Sequence, residues 1–447
     1  MSLIGPAGHG GSRRARSMLV ALVISLLALA LPSAASAHAL LQRSTPHWNA
    51  IVSAAPAKVT LYYSEDVASG FGRVSVIGPT GDDIAGPLAY HGSVVVVPIR
   101  SGGGRGSYTV RWRMVAADDG HVTEGAFSFG VRAKPLAPAP VPGSSVPVAP
   151  EVLAWLQFVG VVLAGGVLTF RALVWAPASR AGGTAVPRDA RAAMWCAVIG
   201  AVVALHAGLF GFLVGAYPIV GGGISSLITT EIIPIRDGTH LGQAFTITTF
   251  AWLAVLVLVV AAWGTPRRRE PLLTAAGLLS LAIAFGITWS SHPDSHGALA
   301  VIGDFVHLVA AALWVGGVIA LALLTGSMRS VEQGEREAIA RSSVIRFSQL
   351  AVPLVGLLGV AGIYLAIAEL PSFSALATTG WGVVLLAKTA VALCALAIGA
   401  YHHRWVVPRL TAGVSVASLR NTLTIESTLL LSAIALAAVL GQIAPPS

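Results

Sequence analysis

Apolar and polar positions alternate on a long scale through the last two thirds of the chain. From residue 152 onward, apolar runs of about twenty residues are separated by polar segments, and this is the length that an α-helix needs to cross a bilayer. Residues 151–447 are therefore expected to form an all-α polytopic membrane domain. The runs predict eight membrane-spanning helices, centred in Val152–Trp175, Ala192–Leu213, Ala244–Trp263, Leu272–Trp289, Leu299–Leu324, Leu350–Ile367, Gly382–Tyr401 and Leu423–Leu440.

A shorter period of apolar positions marks residues 38–133. Short β-branched and aromatic runs alternate there with clusters of Gly, Pro, Asp and Ser, which is typical of strands joined by tight turns. Strands at this spacing over about a hundred residues favour a small all-β Greek-key sandwich or barrel. The clearest runs are Val59–Tyr63, Arg73–Ile77, Val94–Ile99, Tyr108–Met114 and Ala126–Val131.

Two further segments complete the domain organisation. Residues 1–37 have three arginines, an apolar stretch and an Ala35-Ser36-Ala37 cleavage site, which predicts a signal peptide of either the general or the twin-arginine type. The alternative is a signal anchor that is not cleaved. Residues 134–150 contain six prolines in seventeen residues, so an extended linker is expected. Such a linker would keep the β domain near the membrane and still let it reorient.

Composition and charge narrow the class of protein. Of the 447 residues, 55% are hydrophobic and 11% are charged, whereas a soluble domain is about 25% charged. The net charge of +9 is spread along the chain without a basic patch, so no nucleic-acid partner is expected. Cys196 and Cys394 both lie in apolar runs, which gives no disulfide framework.

The arginines predict the orientation. Thirteen arginines lie in the loops after the first, third, fifth and seventh helices, against Arg236 alone in the opposite loops. The positive-inside rule therefore predicts a multi-pass protein of the bacterial cytoplasmic membrane. The β domain and the C-terminus are expected on the extracytoplasmic side, with the lipid bilayer as a partner.

Ionisable residues near the outer ends of the helices indicate a metal path. Burying such groups in hydrocarbon is costly and usually marks a pathway or a partner. Asp304 and His307 have i, i+3 spacing and share a helix face, and nitrogen and oxygen ligands of this kind suit a transition metal. The alternative is that these groups are hydrated loop residues and helix caps. The predicted path comprises His206, His240, His292, His296, Asp304 and His307.

Further ionisable groups lie in the last two helices. Lys388 and Glu426 lie within or at the ends of the last two helices, where a structural charge pair or a role in ion coupling is expected. His402 and His403 follow at the inner end of the seventh helix. They could form an exit site, or they could simply be solvated beside Arg404.

The β domain carries the most specific candidate for a metal site. Cleavage after Ala37 would make His38 the first residue, so that its α-amine and its Nδ1 could chelate one ion. This arrangement suits Cu(II), which prefers tetragonal nitrogen and oxygen ligands. Gly120 would permit the bend that lets Asp119 and His121 face a common ion, although the same three residues could form only a turn.

These motifs resemble two known families. The start His38-Ala39-Leu40-Leu41, the pair Ser64-Glu65 and the motif Asp119-Gly120-His121 resemble the CopC copper-binding family. The later part resembles the CopD membrane family, through Ser291-His292, Asp304 to His307, Trp314-Val315-Gly316-Gly317, Arg346-Phe347-Ser348, Lys388 and Glu426.

The resemblance covers nearly the whole mature chain and implies a fused CopC–CopD copper protein. It implies that Cu(II) is held by His38, Asp119 and His121, with Glu65 as a further neighbour. Met114 is the sole methionine of the β domain. Because Cu(I) selects soft thioether ligands, this domain is expected to hold Cu(II), and Cu(I) remains an option for the membrane domain.

The expected function is copper uptake without enzymatic chemistry, in which the β domain captures Cu(II) and passes it to the membrane domain. One alternative is extracytoplasmic copper buffering or sequestration for resistance. Another is a membrane redox enzyme that uses copper or haem. Copper ions are the expected ligand, and the sequence identifies no chaperone or reductase.

Overall fold

The computed structural model describes residues 39–100, 104–117, 120, 122–138, 150–181, 187–220, 225, 227, 232–290, 297–327, 332–411 and 419–443. The predicted signal peptide and most of the proline-rich linker lie outside these residues. All predicted strands and helices fall within them.

The N-terminal part is a sandwich of two sheets, as the short apolar period predicts. One sheet has the strand order β1-β3-β6-β5 and the other β2-β8-β7-β4. All neighbouring strands are antiparallel except the short pair β2 and β8. The described strands are β1 Leu41–Thr45, β2 Ile51–Val52, β3 Lys58–Tyr63, β4 Arg73–Ile77, β5 Ala89–His91, β6 Val94–Pro98, β7 Gly106–Val115 and β8 Val122–Val131.

Alternating side chains of the two sheets form the core of this domain. Leu61 and Val95 from one sheet and Val110 and Phe129 from the other are all fully buried. The rings of Tyr108 and Phe129 stack with centroids 5.1 Å apart. Strands β1, β2 and β5 were not predicted, because they are too short or too polar to show a period of two residues.

Within the residues that the structure describes, eight helices are long and apolar enough to span a membrane. This confirms the all-α membrane domain. Their bounds are α1 Pro150–Ala181, α2 Pro187–Val220, α3 His240–Gly264, α4 Arg269–Trp289, α5 Ala298–Ser327, α6 Gln333–Glu369, α7 Gly380–Leu410 and α8 Arg420–Leu440.

Helix α1 lies at the centre of the membrane domain. Its spanning segment is 56% buried, against 6% for α6 and 11% for α7, whose apolar side chains face outward as lipid contact requires. Glycines let the backbones of α1 and α5 meet, since a Cβ on Gly166 would come 2.9 Å from the Cα of Gly316. Small residues commonly permit such contacts between membrane helices.

The β domain packs against one end of the membrane helices. Ala68 and Val115 of the β domain form one buried cluster with Phe212, Ala216 and Ile219 of α2 and with Ile235 of the short helix Ile232–Gly238. We call these six residues the docking surface. The linker is expected to let the β domain reorient, and in this structure apolar burial at the docking surface holds the domain against the helices.

Candidate functional site

Three predicted copper ligands of the β domain, His38, Asp119 and His121, lie outside the described residues, but their chain neighbours are described. The backbone amide of Ala39 donates a hydrogen bond to the carboxylate of Glu65. The hydroxyl of Thr123 donates to the carbonyl of Ala39 at 3.1 Å. Ala39, which follows His38, is thus hydrogen-bonded to Thr123, which lies two positions after His121.

Gly120 shows why the motif turns at this position. Its φ of +73° lies in the left-handed region that glycine tolerates best. Its amide donates to the carbonyl of Ala116 at 3.2 Å, which closes the turn at the end of β7. The contacts of Ala39 and Gly120 hold the neighbours of all three predicted ligands at one end of the sandwich, where Glu65 also lies.

This end of the sandwich faces the membrane domain. A Cβ added to Gly120 would lie 3.1 Å from Cδ2 of Leu241, in the first turn of α3. His240 precedes Leu241, and its ring lies 4.9 Å from the ring of Trp289 at the end of α4. The turn that carries the predicted copper ligands therefore touches the residue next to His240.

Charge near this contact is balanced. Arg236 of the short helix donates to Asp237 at 2.7 Å, and this hydrogen bond holds the pKa of the Asp237 carboxyl below its usual range. Asp237 therefore stays ionised beside its guanidinium partner. Both side chains are exposed.

The other residues of the predicted outer path are placed differently from one another. His206 is exposed on α2, and its Nδ1 bonds the carbonyl of Val202 in its own helix at 2.8 Å. His292 and His296 lie outside the described residues.

Asp304 and His307 meet a lysine from another helix. His307 donates from Nδ1 to the carbonyl of Leu358 in α6 at 3.0 Å. Lys388 of α7 interacts electrostatically with both Asp304 and His307. The three residues therefore form one ionisable cluster among α5, α6 and α7.

The structure separates Lys388 from Glu426, which the sequence suggested as a pair. The carboxylate of Glu426 instead lies 3.2 Å from Nδ1 of His402. His402 is fourteen positions beyond Lys388 on α7, which corresponds to about 21 Å along a helix. Glu426 is therefore closer to His402 than to Lys388, and Lys388 interacts with Asp304 instead.

His402 belongs to the protein interior more than the sequence indicated, whereas His403 is exposed. His402 is 9% exposed and its Nε2 lies 2.7 Å from the hydroxyl of Thr422. Nδ1 of His403 lies 2.7 Å from the hydroxyl of Ser348. Solvation alone does not describe His402, and a glutamate inside a helix long and apolar enough to span the membrane was the available signal.

Among the residues that the structure describes, no three His, Cys, Asp or Glu side chains are already gathered closely enough to hold a metal ion. The predicted β-domain site has most of its ligands outside these residues. Its ligands remain a prediction, which the positions of Ala39, Glu65 and Gly120 support.

Comparisons with known proteins agree with both halves of the chain. The CopC domain family matches residues 41–132, and the family described as Copper resistance protein D matches residues 341–440. Copper transport protein CutJ of Bacillus subtilis (strain 168) is 25% identical over 417 residues, which covers 88% of this chain and 73% of CutJ.

Other relatives match the β domain alone. Protein YobA of Escherichia coli (strain K12) is 38% identical over 122 residues, covering 26% of this chain and 97% of YobA. The crystal structure of CopC from Methylosinus trichosporium OB3b has 27% identity and a TM-score of 0.19, covering 21% of this chain and 93% of that protein.

The two family matches lie in the order of the two domains and on the two parts that the fold separates. They support a multi-pass membrane protein that binds copper and functions in copper transport or resistance. The chain belongs to the copper proteins in which a CopC domain is fused to a CopD membrane domain.

Proposed function

We propose that the protein imports copper across the cytoplasmic membrane. The β domain lies on the extracytoplasmic side and captures Cu(II) with His38, Asp119 and His121, and Glu65 holds the amide that follows His38. The copper then passes to the outer ends of the membrane helices. No covalent chemistry is required for this transfer.

One observation carries the proposal: the turn at Gly120 contacts Leu241, next to His240. A domain that only buffered copper would have no need to place its metal-binding end against membrane helices. Gly120, between two of the proposed ligands, lies against Leu241, and the imidazole of His240 is one position away along the chain. His240 is therefore the first acceptor that copper would meet.

The next acceptors follow from the chain. The loop that carries His292 and His296 begins directly after α4, whose Trp289 lies against His240. The same loop leads into α5, which carries Asp304 and His307. Asp304 would offset the charge of Lys388 and of the entering cation, and the imidazole of His307 would coordinate.

Uptake into vesicles tests the proposal. Full-length protein is reconstituted in liposomes with the β domain outside, Cu(II) is added outside, and copper retained inside is measured after external chelation. Wild type should accumulate copper, while His240→Ala and His307→Ala should lose most of the uptake. Cu(II) affinity of the β domain should stay unchanged in both variants.

His47→Ala is the matched control, because His47 is an exposed histidine of the β domain that bonds the carbonyl of Trp48 beside it. It should transport as wild type does. Copper that binds but stays accessible to the external chelator in wild-type vesicles would overturn uptake and favour buffering. An absorption spectrum of bound haem in the purified protein would instead favour the redox enzyme.

A further inference from the structure

A cavity of about 230 Å³ opens where α5, α6, α7 and α8 approach one another at the inner end of the membrane domain. Most of its described lining is apolar, with Trp314 and Phe347 among the larger side chains. Its polar lining is concentrated in four residues: Ser348, His402, His403 and Glu426. Cys and Met are absent from the described lining.

Two potential ligands in this cavity already converge. Nδ1 of His402 lies 3.2 Å from a carboxylate oxygen of Glu426. Two ligands on neighbouring positions of one metal ion, at about 2.0–2.2 Å each, are separated by roughly 2.8–3.4 Å. The observed separation fits that range as well as it fits a hydrogen bond.

The carboxylate is unusual in its position. Glu426 is 2% exposed in a helix that is long and apolar enough to span the membrane. A carboxylate in such surroundings is costly and usually serves a partner or a pathway. A Cβ on Gly399 would lie 3.2 Å from Oε1 of Glu426, so the missing side chain leaves room for the carboxylate beside α7.

The local helix geometry adds a third ligand to the cavity. His402 begins a π-helical turn, His402–Val406, and such turns occur frequently at functional sites. His403 lines the same cavity as His402, with its Nδ1 bonded to the hydroxyl of Ser348. A second imidazole therefore lines the cavity that holds the His402–Glu426 pair.

We infer that this cavity is a copper site in the inner half of the membrane domain. His402 and Glu426 are its first two ligands and His403 is the third. Nitrogen and oxygen ligands without sulfur suit Cu(II). The inference rests on the proposed function only for the direction of copper movement, because binding itself can be measured without transport.

Binding of Cu(II) alone tests the site. Purified full-length protein carrying His121→Ala, which weakens the β-domain site, is equilibrated with Cu(II), and bound copper is measured by equilibrium dialysis and electron paramagnetic resonance. We expect bound Cu(II) with nitrogen coupling. Adding His402→Ala or Glu426→Gln should weaken this binding at least tenfold, and His403→Ala should weaken it less.

Two controls separate loss of the site from loss of the fold. Glu426→Gln keeps the size of the side chain, and Glu332→Gln removes a charge from the exposed start of α6. Glu332→Gln and His47→Ala should leave binding unchanged. Undiminished Cu(II) binding in both His402→Ala and Glu426→Gln, or no binding in the His121→Ala parent, would overturn the site.

The outcomes for the two proposals are distinct. Vesicle uptake that continues in wild type while the cavity binds no Cu(II) rejects the inner site and leaves import standing. Cu(II) binding in the cavity without vesicle uptake retains the inner site and rejects import.

Discussion

Val115→Asp should detach the β domain from the membrane helices without unfolding it. Val115 is the last residue of β7 and is 1% exposed. It belongs to the docking surface with Phe212 and Ala216, whereas the core of the sandwich is a separate cluster. An aspartate at this position would be buried only while the two domains are in contact.

The size of the effect follows from two terms. Loss of the buried valine costs about 1.5–3 kcal/mol. Desolvation of an ionised carboxylate without a partner adds several kcal/mol. A total of at least about 4 kcal/mol shifts the equilibrium between docked and undocked forms by roughly a factor of a thousand, because each 1.4 kcal/mol is tenfold.

Cross-linking between the domains measures docking directly. A Cβ on Gly238 would lie 3.4 Å from the ring of Phe71, so Phe71→Cys and Gly238→Cys should react with one short bis-maleimide. The background carries Cys196→Ala and Cys394→Ala, which remove the two native thiols. Cross-linking should be efficient in the parent and nearly absent when Val115→Asp is added.

Ile51→Asp is the control, because Ile51 is an apolar residue of the same domain that is already 62% exposed. It should cross-link as the parent does. Vesicle uptake at low copper should fall in Val115→Asp, where capture and transfer limit the rate. Parental cross-linking in Val115→Asp would refute docking through this surface, and full uptake in an undocked protein would refute transfer through the contact.

Three further outcomes are expected. Gly120→Ala should reduce cross-linking between the domains more than Gly81→Ala does. Both glycines have a positive φ (+73° and +89°), but only a Cβ at position 120 would lie near another side chain. Equal effects of the two substitutions would indicate backbone strain alone. Cu(II) titration of the β domain should show occupancy falling below about pH 6.5, where histidine becomes protonated, and a large loss of affinity in His121→Ala; wild-type affinity in that variant would show that the motif is only a turn. Glu270→Gln should lower the melting temperature, corresponding to about 1–3 kcal/mol, because the buried guanidinium of Arg171 loses an ion pair of 2.5 Å; an unchanged melting temperature would show that the pair is not stabilising.

The membrane topology was predictable because it depends on local properties. Length and apolar composition identify a spanning helix one segment at a time, and all eight predicted segments lie within helices of the structure. Helix α6 begins at Gln333, well before the predicted Leu350, because Glu, Arg and Ala continue a helix beyond its apolar part. The period of two residues likewise predicted the five longer strands.

The predicted copper ligands of the β domain also came from local signals. An N-terminal histidine after a cleavage site and a glycine between Asp119 and His121 can be recognised without knowledge of the fold. The tertiary structure added the hydrogen bond from Thr123 to Ala39, which connects the residue after His38 to the start of β8 across 84 positions. No sequence pattern predicts which strands place these segments together.

Contacts between distant parts of the chain were decided by the tertiary structure alone. A proline-rich linker indicates a tether but contains no information about the surfaces on either side of it. In the sequence, Val115 and Phe212 are indistinguishable from other apolar residues of a strand and a helix, and the structure shows that they are buried in one cluster. Pairing of Glu426 with His402 depended on the packing of α7 against α8, which electrostatic reasoning from the sequence could not supply. Helix length, strand period and the distribution of arginines among the loops can be read from the chain segment by segment, so the sequence by itself determined them. Which residues contact each other across the fold depends on how the segments pack, so only the tertiary structure decided those contacts.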